Sequence, residues 1–262
     1  MSPAEQSSAW VSFCPERPGA WMRLICLANA GATGRATFRS WSEALPAWIE
    51  LCAIELPGRH KRRDEPAHVR IGPLVDALLE NIQPLLDRPF ALLGVSFGGL
   101  LAWELAQRTA RLGRVPLQLF AISAGAPDTP LPIIDGLTAL GDAQLIAAVG
   151  KSFGGIDPAQ VPPEVLGAVI PGLRADLEVL ATYDYVAAPP LSCPIGVFGG
   201  HGDEAAPPAV LEAWRGHTEG ACTVRMFPGG HFFFRKERDA LLLDVVGALE
   251  GRRDLMRLQR SM

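Results

Sequence analysis

The sequence lacks the cysteine spacing that indicates a zinc site or a disulfide framework. Its five cysteines are scattered and odd in number, and none are spaced as C-x-x-C. We therefore expect no metal site, and free thiols in a reducing compartment. Cys26, Cys52 and Cys193 lie in or beside apolar runs and are predicted to be small core residues.

The chain also lacks a long apolar run and an excess of positive charge. No run approaches the roughly 18–20 residues that span a bilayer, and Met1 to Gln6 do not form a basic and then apolar signal segment. The formal net charge is −4, which gives no reason to expect nucleic acid binding. We expect a cytoplasmic protein with neither membrane nor nucleic acid as a partner.

Apolar residues are abundant, at 48% of the 262 residues, and strand-like runs alternate with helix-like segments. This alternation predicts an α/β fold with a mostly parallel sheet and helices on both faces. Residues 1–20 are predicted to be an irregular lead-in, and the tail after residue 250 to be frayed. The predicted strands are 22–27, 48–56, 90–93, 116–123, 194–198 and 222–227, and the predicted helices are 38–45, 71–86, one from about 99, and 238–249.

One interval breaks the alternation. Between about residues 128 and 190 the sequence offers helix-like stretches, 142–149 and 163–183, but no convincing strand. A long strand-free segment between two strands is typical of a helical lid over a pocket. We predict a core formed by residues 1–127 and 190–262, with residues 128–189 inserted as the lid.

The pentapeptide Gly94-Val-Ser-Phe-Gly98 lies between a predicted buried strand and a predicted helix. That context is the nucleophile elbow, a sharp turn that lifts a serine hydroxyl out of the sheet. A second G-x-S-x-G match contains Ser152, but it follows a helical segment and precedes a loop. The strand–turn–helix requirement therefore favours Ser96 as the nucleophile.

A serine nucleophile needs a base and an acid. In folds with a nucleophile elbow, the acid comes after the serine in the chain and the histidine base comes after the acid. His231 comes directly after the predicted strand 222–227 and a Pro-Gly-Gly turn, so we predict it to be the base. Asp203 follows the preceding strand and is the predicted acid, with Glu204 as the second choice.

The third requirement is an oxyanion hole. One donor in this fold is the N–H after the nucleophile, here that of Phe97. The loop after the first predicted strand, Ala28-Asn-Ala-Gly31, supplies the second, and the Ala30 N–H is the predicted donor. Small residues there allow the backbone to approach a tetrahedral intermediate closely.

Together these residues resemble the type II thioesterases of polyketide and nonribosomal peptide pathways, within the α/β-hydrolase family. The resemblance is carried by Glu55-Leu-Pro-Gly-Arg59, Arg88 to Gly94, Leu173-Arg-Ala-Asp176 with Tyr183, and Pro228-Gly-Gly-His-Phe-Phe233. It implies an α/β-hydrolase fold and hydrolysis of acyl groups from the phosphopantetheine arm of acyl or peptidyl carrier proteins. It implies no cofactor.

Two positions at the site depart from the family pattern. Val95 stands where the family usually has histidine. The early loop reads Leu27-Ala-Asn-Ala-Gly-Ala32 where the family has roughly F-P-x-A-G-G. Neither change removes a triad member or a backbone donor. Asn29 adds an amide that we expect to face the pocket, and the missing proline is expected to loosen the loop.

Further residues are predicted to contact substrate or partner. The acyl pocket is predicted to include Asn29, Phe153, Ile156, Leu177, Leu180 and Tyr183, with lid packing as the alternative role of the apolar ones. The basic loop Arg59 to Arg63 is predicted either to meet an acidic carrier protein or its phosphate, or to be solvated. Asp176 and Asp184 are interpreted as solvated or capping, and His60, His68 and His217 as lacking a role in catalysis, the latter two on the surface.

The sequence supports a serine thioesterase and leaves two other functions open. An acyltransferase or cyclase would use the same residues with an alcohol or amine in place of water. A catalytically weak carrier-protein-binding partner would keep the fold without turnover.

Overall fold

A seven-stranded sheet runs through the centre of the protein. The computed structural model describes residues 9–129, 132–154 and 162–260. The strand order is β1-β3-β2-β4-β5-β6-β7, with β1 antiparallel to β3 and every other pair parallel. The strands are β1 Val11–Phe13, β2 Met22–Leu27, β3 Ile49–Ile54, β4 Phe90–Val95, β5 Leu119–Ile122, β6 Ile195–Gly200 and β7 Cys222–Phe227.

Seven α-helices connect and cover these strands in the described ranges. Every helix predicted with both of its ends has different bounds in the structure, and the short helix Pro208–Glu212 was not predicted. The first begins at 34 instead of 38 because the Thr33 hydroxyl caps it, accepting from the Ala36 N–H at 3.3 Å. The helices are α1 Gly34–Ala44, α2 Ile71–Ile82, α3 Phe97–Arg111, α4 Asp142–Phe153, α5 Pro163–Ala181, α6 Pro208–Glu212 and α7 Arg238–Arg260.

Two predictions about the chain ends were wrong. Residues 11–13 of the predicted irregular lead-in form β1, the edge strand of the sheet, which pairs with β3. The basic tail, predicted to fray, continues α7 as far as Arg260. A three-residue edge strand has too few residues to show a period, so only its pairing reveals it.

Both faces of the sheet are covered, which explains the continuous apolar runs of its central strands. Ile25 and Leu27 point into the cluster formed with α2 and α3, whereas Leu24 and Cys26 point into the cluster formed with α1 and α7. Cys52 and Cys193 are also buried, as predicted for small core cysteines.

The interval between β5 and β6 contains α4, α5 and two short 3-10 helices, and its described residues form no strand. It packs around a small apolar cluster of its own. The buried members of that cluster are Ile134, Leu137, Leu145, Ile146, Val149, Ile170, Leu173 and Leu177. We call residues 128–189 the helical insertion.

The parallel strands bring four loops to one edge of the sheet. β2, β4, β6 and β7 end at Leu27, Val95, Gly200 and Phe227. In such sheets, ligands bind outside the carboxyl ends of the strands. The segments carrying the predicted site residues therefore emerge together.

Candidate active site

The turn at Ser96 has the geometry of a nucleophile elbow. Ser96 joins β4 directly to α3 and has a left-handed backbone, with φ 52° and ψ −117°. Its N–H donates to the Ile122 carbonyl at 2.8 Å. A Cβ on Gly94 would lie 2.0 Å from the Gly98 carbonyl oxygen, and one on Gly98 would lie 2.2 Å from the Leu27 carbonyl oxygen. Both glycines are therefore required sterically.

The second G-x-S-x-G match has no such geometry. Ser152 lies in the last turn of α4. A serine within a helix is not lifted out of a sheet edge, so the pattern match at Ser152 has no structural counterpart to the turn at Ser96.

A buried histidine–aspartate pair lies at the same sheet edge. His231 Nδ1 and Asp203 Oδ2 are 2.9 Å apart, and both side chains are almost fully buried. The other carboxylate oxygen of Asp203 accepts the N–H groups of Ala205 and Ala206 at 3.1 and 3.2 Å. Glu204, the second choice for the acid, is exposed. The structure therefore pairs His231 with Asp203.

Two contacts hold His231 from other sides. Ser123 donates its hydroxyl to the His231 carbonyl oxygen at 2.8 Å, and it has a left-handed backbone with φ 48°. Phe153 from the helical insertion packs against the imidazole ring edge-on, with centroids 4.8 Å apart. Because Asp203 occupies Nδ1, Nε2 is the ring nitrogen left for a serine hydroxyl. Sequence reasoning missed Ser123, whose only signal is its position directly after β5.

The loop at residues 28–32, which we call the oxyanion loop, is a tight turn. The Ala32 N–H donates to the Asn29 carbonyl at 3.0 Å, and Gly31 has φ +71°, as the third residue of such a turn requires. The Asn29 amide donates to the Ala30 carbonyl at 3.2 Å. Among the described residues, no hydrogen-bond partner is found for the Ala30 N–H. Phe97 is the first residue of α3, whose N-terminal N–H groups have no intrahelical acceptor.

Ser96, His231 and the oxyanion loop line one apolar cavity. Five of the residues predicted for the acyl pocket line it, and Ile156 lies outside the described residues. The five are Asn29, Phe153, Leu177, Leu180 and Tyr183. Sequence reasoning missed others, which carry no local signal beyond being apolar: Leu100, Ile133, Ile134, Val149, Leu173 and Phe232.

Comparison with known proteins identifies the family. The thioesterase domain model matches residues 22–248. The chain belongs to the thioesterase family. This thioesterase is 35% identical to the gramicidin S biosynthesis protein GrsT of Aneurinibacillus migulanus over 239 residues, 91% of this chain and 93% of GrsT.

Solved structures agree with that assignment. The thioesterase RedJ, from the prodiginine biosynthetic pathway of Streptomyces coelicolor, superimposes with a TM-score of 0.82 at 33% identity, covering 89% of this chain and 88% of RedJ. The type II thioesterase BorB of the borrelidin biosynthetic cluster gives 0.82 at 31% identity, covering 92% and 97%. The predicted α/β-hydrolase fold, family and thioester hydrolase class are confirmed.

The structure places Val95, where the sequence departs from its family, away from the cavity. Val95 is fully buried in the apolar cluster that the sheet forms with α1 and α7. A histidine there would put a polar ring among apolar side chains without a route to substrate. The departure at Val95 therefore changes the core behind the elbow and not the described lining of the pocket.

Tyr183 ties the end of the helical insertion to the core of the thioesterase. Its hydroxyl donates to Glu104 Oε1 at 2.9 Å, and Glu104 in turn pairs with Arg108 on α3. Burial, together with the Glu104 carboxylate, raises the pKa of Tyr183. The hydroxyl therefore stays neutral and serves as a tether at the pocket wall.

Two interpretations of charged and histidine residues were wrong. Asp176, interpreted as solvated or capping, is 1% exposed and paired with Arg59. The basic loop, for which two roles were left open, is mixed: Arg59 and Arg62 are buried, whereas His60, Lys61 and Arg63 are exposed. His217, interpreted as a surface residue, is buried with Nε2 2.8 Å from Asp128 Oδ1.

No helix of the described residues is long and apolar enough to cross a membrane.

Proposed function

We propose that this thioesterase hydrolyses acyl groups held as thioesters on the phosphopantetheine arm of a carrier protein in a polyketide or nonribosomal peptide pathway. The observation that supports it most is the buried His231–Asp203 pair, whose histidine lines the same apolar cavity as the strained Ser96. The occurrence of GrsT in gramicidin S biosynthesis and of BorB in the borrelidin cluster agrees with a pathway of this kind.

The reaction uses the residues in two steps. Ser96 Oγ attacks the thioester carbonyl carbon while His231 Nε2 takes its proton, and Asp203 stabilises the imidazolium. The N–H groups of Ala30 and Phe97 bind the oxyanion. The C–S bond breaks, the imidazolium protonates the leaving thiolate, and a water activated by the same histidine then releases the acid from Ser96.

The helical insertion is the proposed lid, and its inner surface the proposed acyl site. α5 places Leu173, Leu177 and Leu180 along the cavity, and α4 contributes Val149 and Phe153. These are apolar, so they suit an alkyl or aryl acyl chain rather than a charged one. The division into residues 1–127 and 190–262 as core and 128–189 as lid is part of this proposal.

We place the carrier protein at a groove that adjoins the cavity through Asn29. Arg235 and Arg238 line this groove, with Thr33 and Thr37 from α1. The Arg235 guanidinium lies 4.4 Å from the ring centroid of Phe232, which lines the cavity.

Among the described residues, no carboxylate forms an ion pair with Arg235. A cation at this position would attract the phosphate of the pantetheine arm or acidic side chains around it.

The central test is a panel of acyl-loaded carrier proteins with product identification by mass spectrometry. Ser96→Ala is expected to abolish release of free acid, and Ser152→Ala, the serine of the duplicate motif, is the matched control that keeps it. An ester or amide product would assign transfer instead of hydrolysis. If the protein binds the acyl-loaded carrier without turnover, and Ser96→Ala leaves that binding unchanged, both the hydrolase and the transferase functions are wrong.

The docking groove is tested by charge reversal. Arg235→Glu is expected to raise KM for carrier-bound substrate by about tenfold, because it places a like charge in the path of the phosphate. KM for a free acyl-pantetheine without phosphate should change little. The control is Lys236→Glu, which makes the same change of charge at a neighbouring residue that does not line the groove. Equal effects of both variants would point to general electrostatics rather than this groove.

A further inference from the structure

A buried ion pair joins the helical insertion to the core beside the oxyanion loop. Arg59 Nη2 lies 2.7 Å from Asp176 Oδ1, and Arg59 Nη1 lies 2.8 Å from Asp176 Oδ2. The two side chains are 5% and 1% exposed. Asp176 belongs to α5, whereas Arg59 follows β3, so the bidentate contact crosses between the insertion and the core.

The same two side chains bind the backbone of the oxyanion loop. Asp176 Oδ2 accepts the Gly31 N–H at 2.8 Å, and Arg59 Nη1 donates to the Ala32 carbonyl at 3.2 Å. The ion pair therefore binds the backbone N–H of Gly31 and the backbone carbonyl of Ala32, the two residues that follow Ala30. Any movement of Asp176 or Arg59 is passed directly to the peptide group beside the proposed oxyanion donor.

The packing leaves the loop little freedom on this side. A Cβ on Gly31 would lie 3.0 Å from the Leu173 Cβ of α5, and one on Gly172 would lie 3.6 Å from the Arg59 guanidinium carbon. Helix α5 thus approaches both the loop and Arg59 closely. The side chains of α5 that line the acyl cavity and the carboxylate that binds the loop lie on one rigid element.

The loop itself has no residue that would fix its backbone. It contains no proline, the residue that locks φ, and Gly31 is its most permissive position. Its conformation must therefore come from contacts. Apart from the turn hydrogen bond, the hydrogen bonds that the described residues make to the backbone of residues 31 and 32 come from Asp176 and Arg59.

We propose that Asp176 and Arg59 are positioning residues that hold the oxyanion loop, and with it the Ala30 N–H, in the arrangement needed to stabilise the tetrahedral intermediate. The inference rests on the proposed function, because it assigns these residues to the oxyanion hole of that reaction. Neither side chain belongs to the described lining of the cavity. Their effect is expected on the transition state more than on substrate binding.

The test compares Asp176→Asn and Asp176→Ala. The first keeps an acceptor for the Gly31 N–H but loses the charge, and the second loses both. We expect kcat on a short acyl-pantetheine to fall about tenfold for Asn and about 100-fold for Ala, with KM changed by less than about threefold. The rate at which a fluorophosphonate labels Ser96 should fall in the same order, because that reaction also builds negative charge in the oxyanion hole.

A control and a second variant keep the result interpretable. Asp142→Asn breaks the exposed pair with Arg174, a neighbour of Asp176 on α5, and should leave kcat and labelling unchanged. Removing one member of a buried pair can prevent folding. The double variant Arg59→Gln with Asp176→Asn leaves neither position of the pair charged and is measured beside the single variants, with near-UV circular dichroism to verify folding.

The outcomes separate this inference from the function it rests on. The folded single and double variants could have a lower melting temperature but a kcat and labelling rate within about threefold of wild type. In that case the ion pair is only structural and the inference is wrong. If wild type cleaves no acyl thioester yet is labelled at Ser96, the proposed substrate is wrong while the labelling rates still decide the role of Asp176. A wild type that does neither overturns both.

Discussion

Replacing the buried Glu55 should remove a pH dependence from the stability of this protein. Glu55 is 2% exposed, and its carboxylate has only weak polar support, from the Gly34 backbone and the Ser12 hydroxyl, with no hydrogen bond of normal geometry among the described residues. Burial raises the pKa of Glu55 from 4.5 to about 7, although the nearby Arg59 guanidinium acts in the opposite direction. The carboxyl group is thus buried beside the network that holds the oxyanion loop.

The direction of this pH dependence follows from how many protons the folded and unfolded states bind. Between pH 4.5 and about 7 the folded protein keeps the Glu55 proton that the unfolded chain has already lost, so the free energy of unfolding falls as pH rises through this window. At 1.36 kcal/mol per pKa unit, the shift amounts to at most about 3 kcal/mol above pH 7. A glutamine at position 55 is neutral at every pH, so the Glu55→Gln variant does not lose this unfolding free energy as pH rises.

The measurement is urea unfolding of wild type and Glu55→Gln between pH 5 and 8.5. The two should be similarly stable near pH 5, and the glutamine variant should gain up to about 3 kcal/mol over wild type by pH 8. Glu80→Gln, which removes an exposed carboxyl group on α2, is the control and should show no such trend. A difference between Glu55→Gln and wild type that stays flat across this range, or that shrinks as pH rises, would refute the reasoning.

Three further predictions concern the elbow, the cavity and a thiol pair. Gly98→Ala should cost about 3 kcal/mol in unfolding free energy and abolish activity, since its Cβ would lie 2.2 Å from the Leu27 carbonyl oxygen; unchanged melting would contradict this. Phe153→Ala removes a ring from the cavity wall and should shift kcat/KM toward bulkier acyl chains by about tenfold in an acyl-length series; an unaltered chain-length profile would count against its role there. Cys14 and Cys52 have sulfurs 2.8 Å apart, so diamide should lower the intact mass of the wild type by about 2 Da but not that of Cys14→Ser; equal mass loss in both would point to another pair.

Much of the proposed active site was predictable because its signals are local. A nucleophile elbow is defined by a strand, two sterically required glycines and a helix within a few residues, and the chain presents these in order around Ser96. The loops with Asp203 and His231 each follow an apolar strand directly. Since parallel strands place their carboxyl ends at one edge, the positions of the strands already bring these loops together.

The pattern of charged residues was misleading where their partners are distant in sequence. Arg59 and Asp176 are 117 positions apart, and each looked like an ordinary surface charge. Their burial depends on how α5 packs against the loop after β3, which no periodicity in either segment encodes. Asp203 was predicted ahead of Glu204, and the fold turns Asp203 inward to His231 while Glu204 stays exposed.

By itself, the sequence determined the α/β class, the elbow at Ser96 and the family, because these depend on apolar runs, glycines and short motifs that act over a few residues. Only the tertiary structure decided that Ser152 is helical, that Val95 lies behind the sheet, and that an ion pair supports the oxyanion loop. Those facts arise from contacts between elements far apart in the chain, and burial and pairing there are set by packing rather than by local propensity.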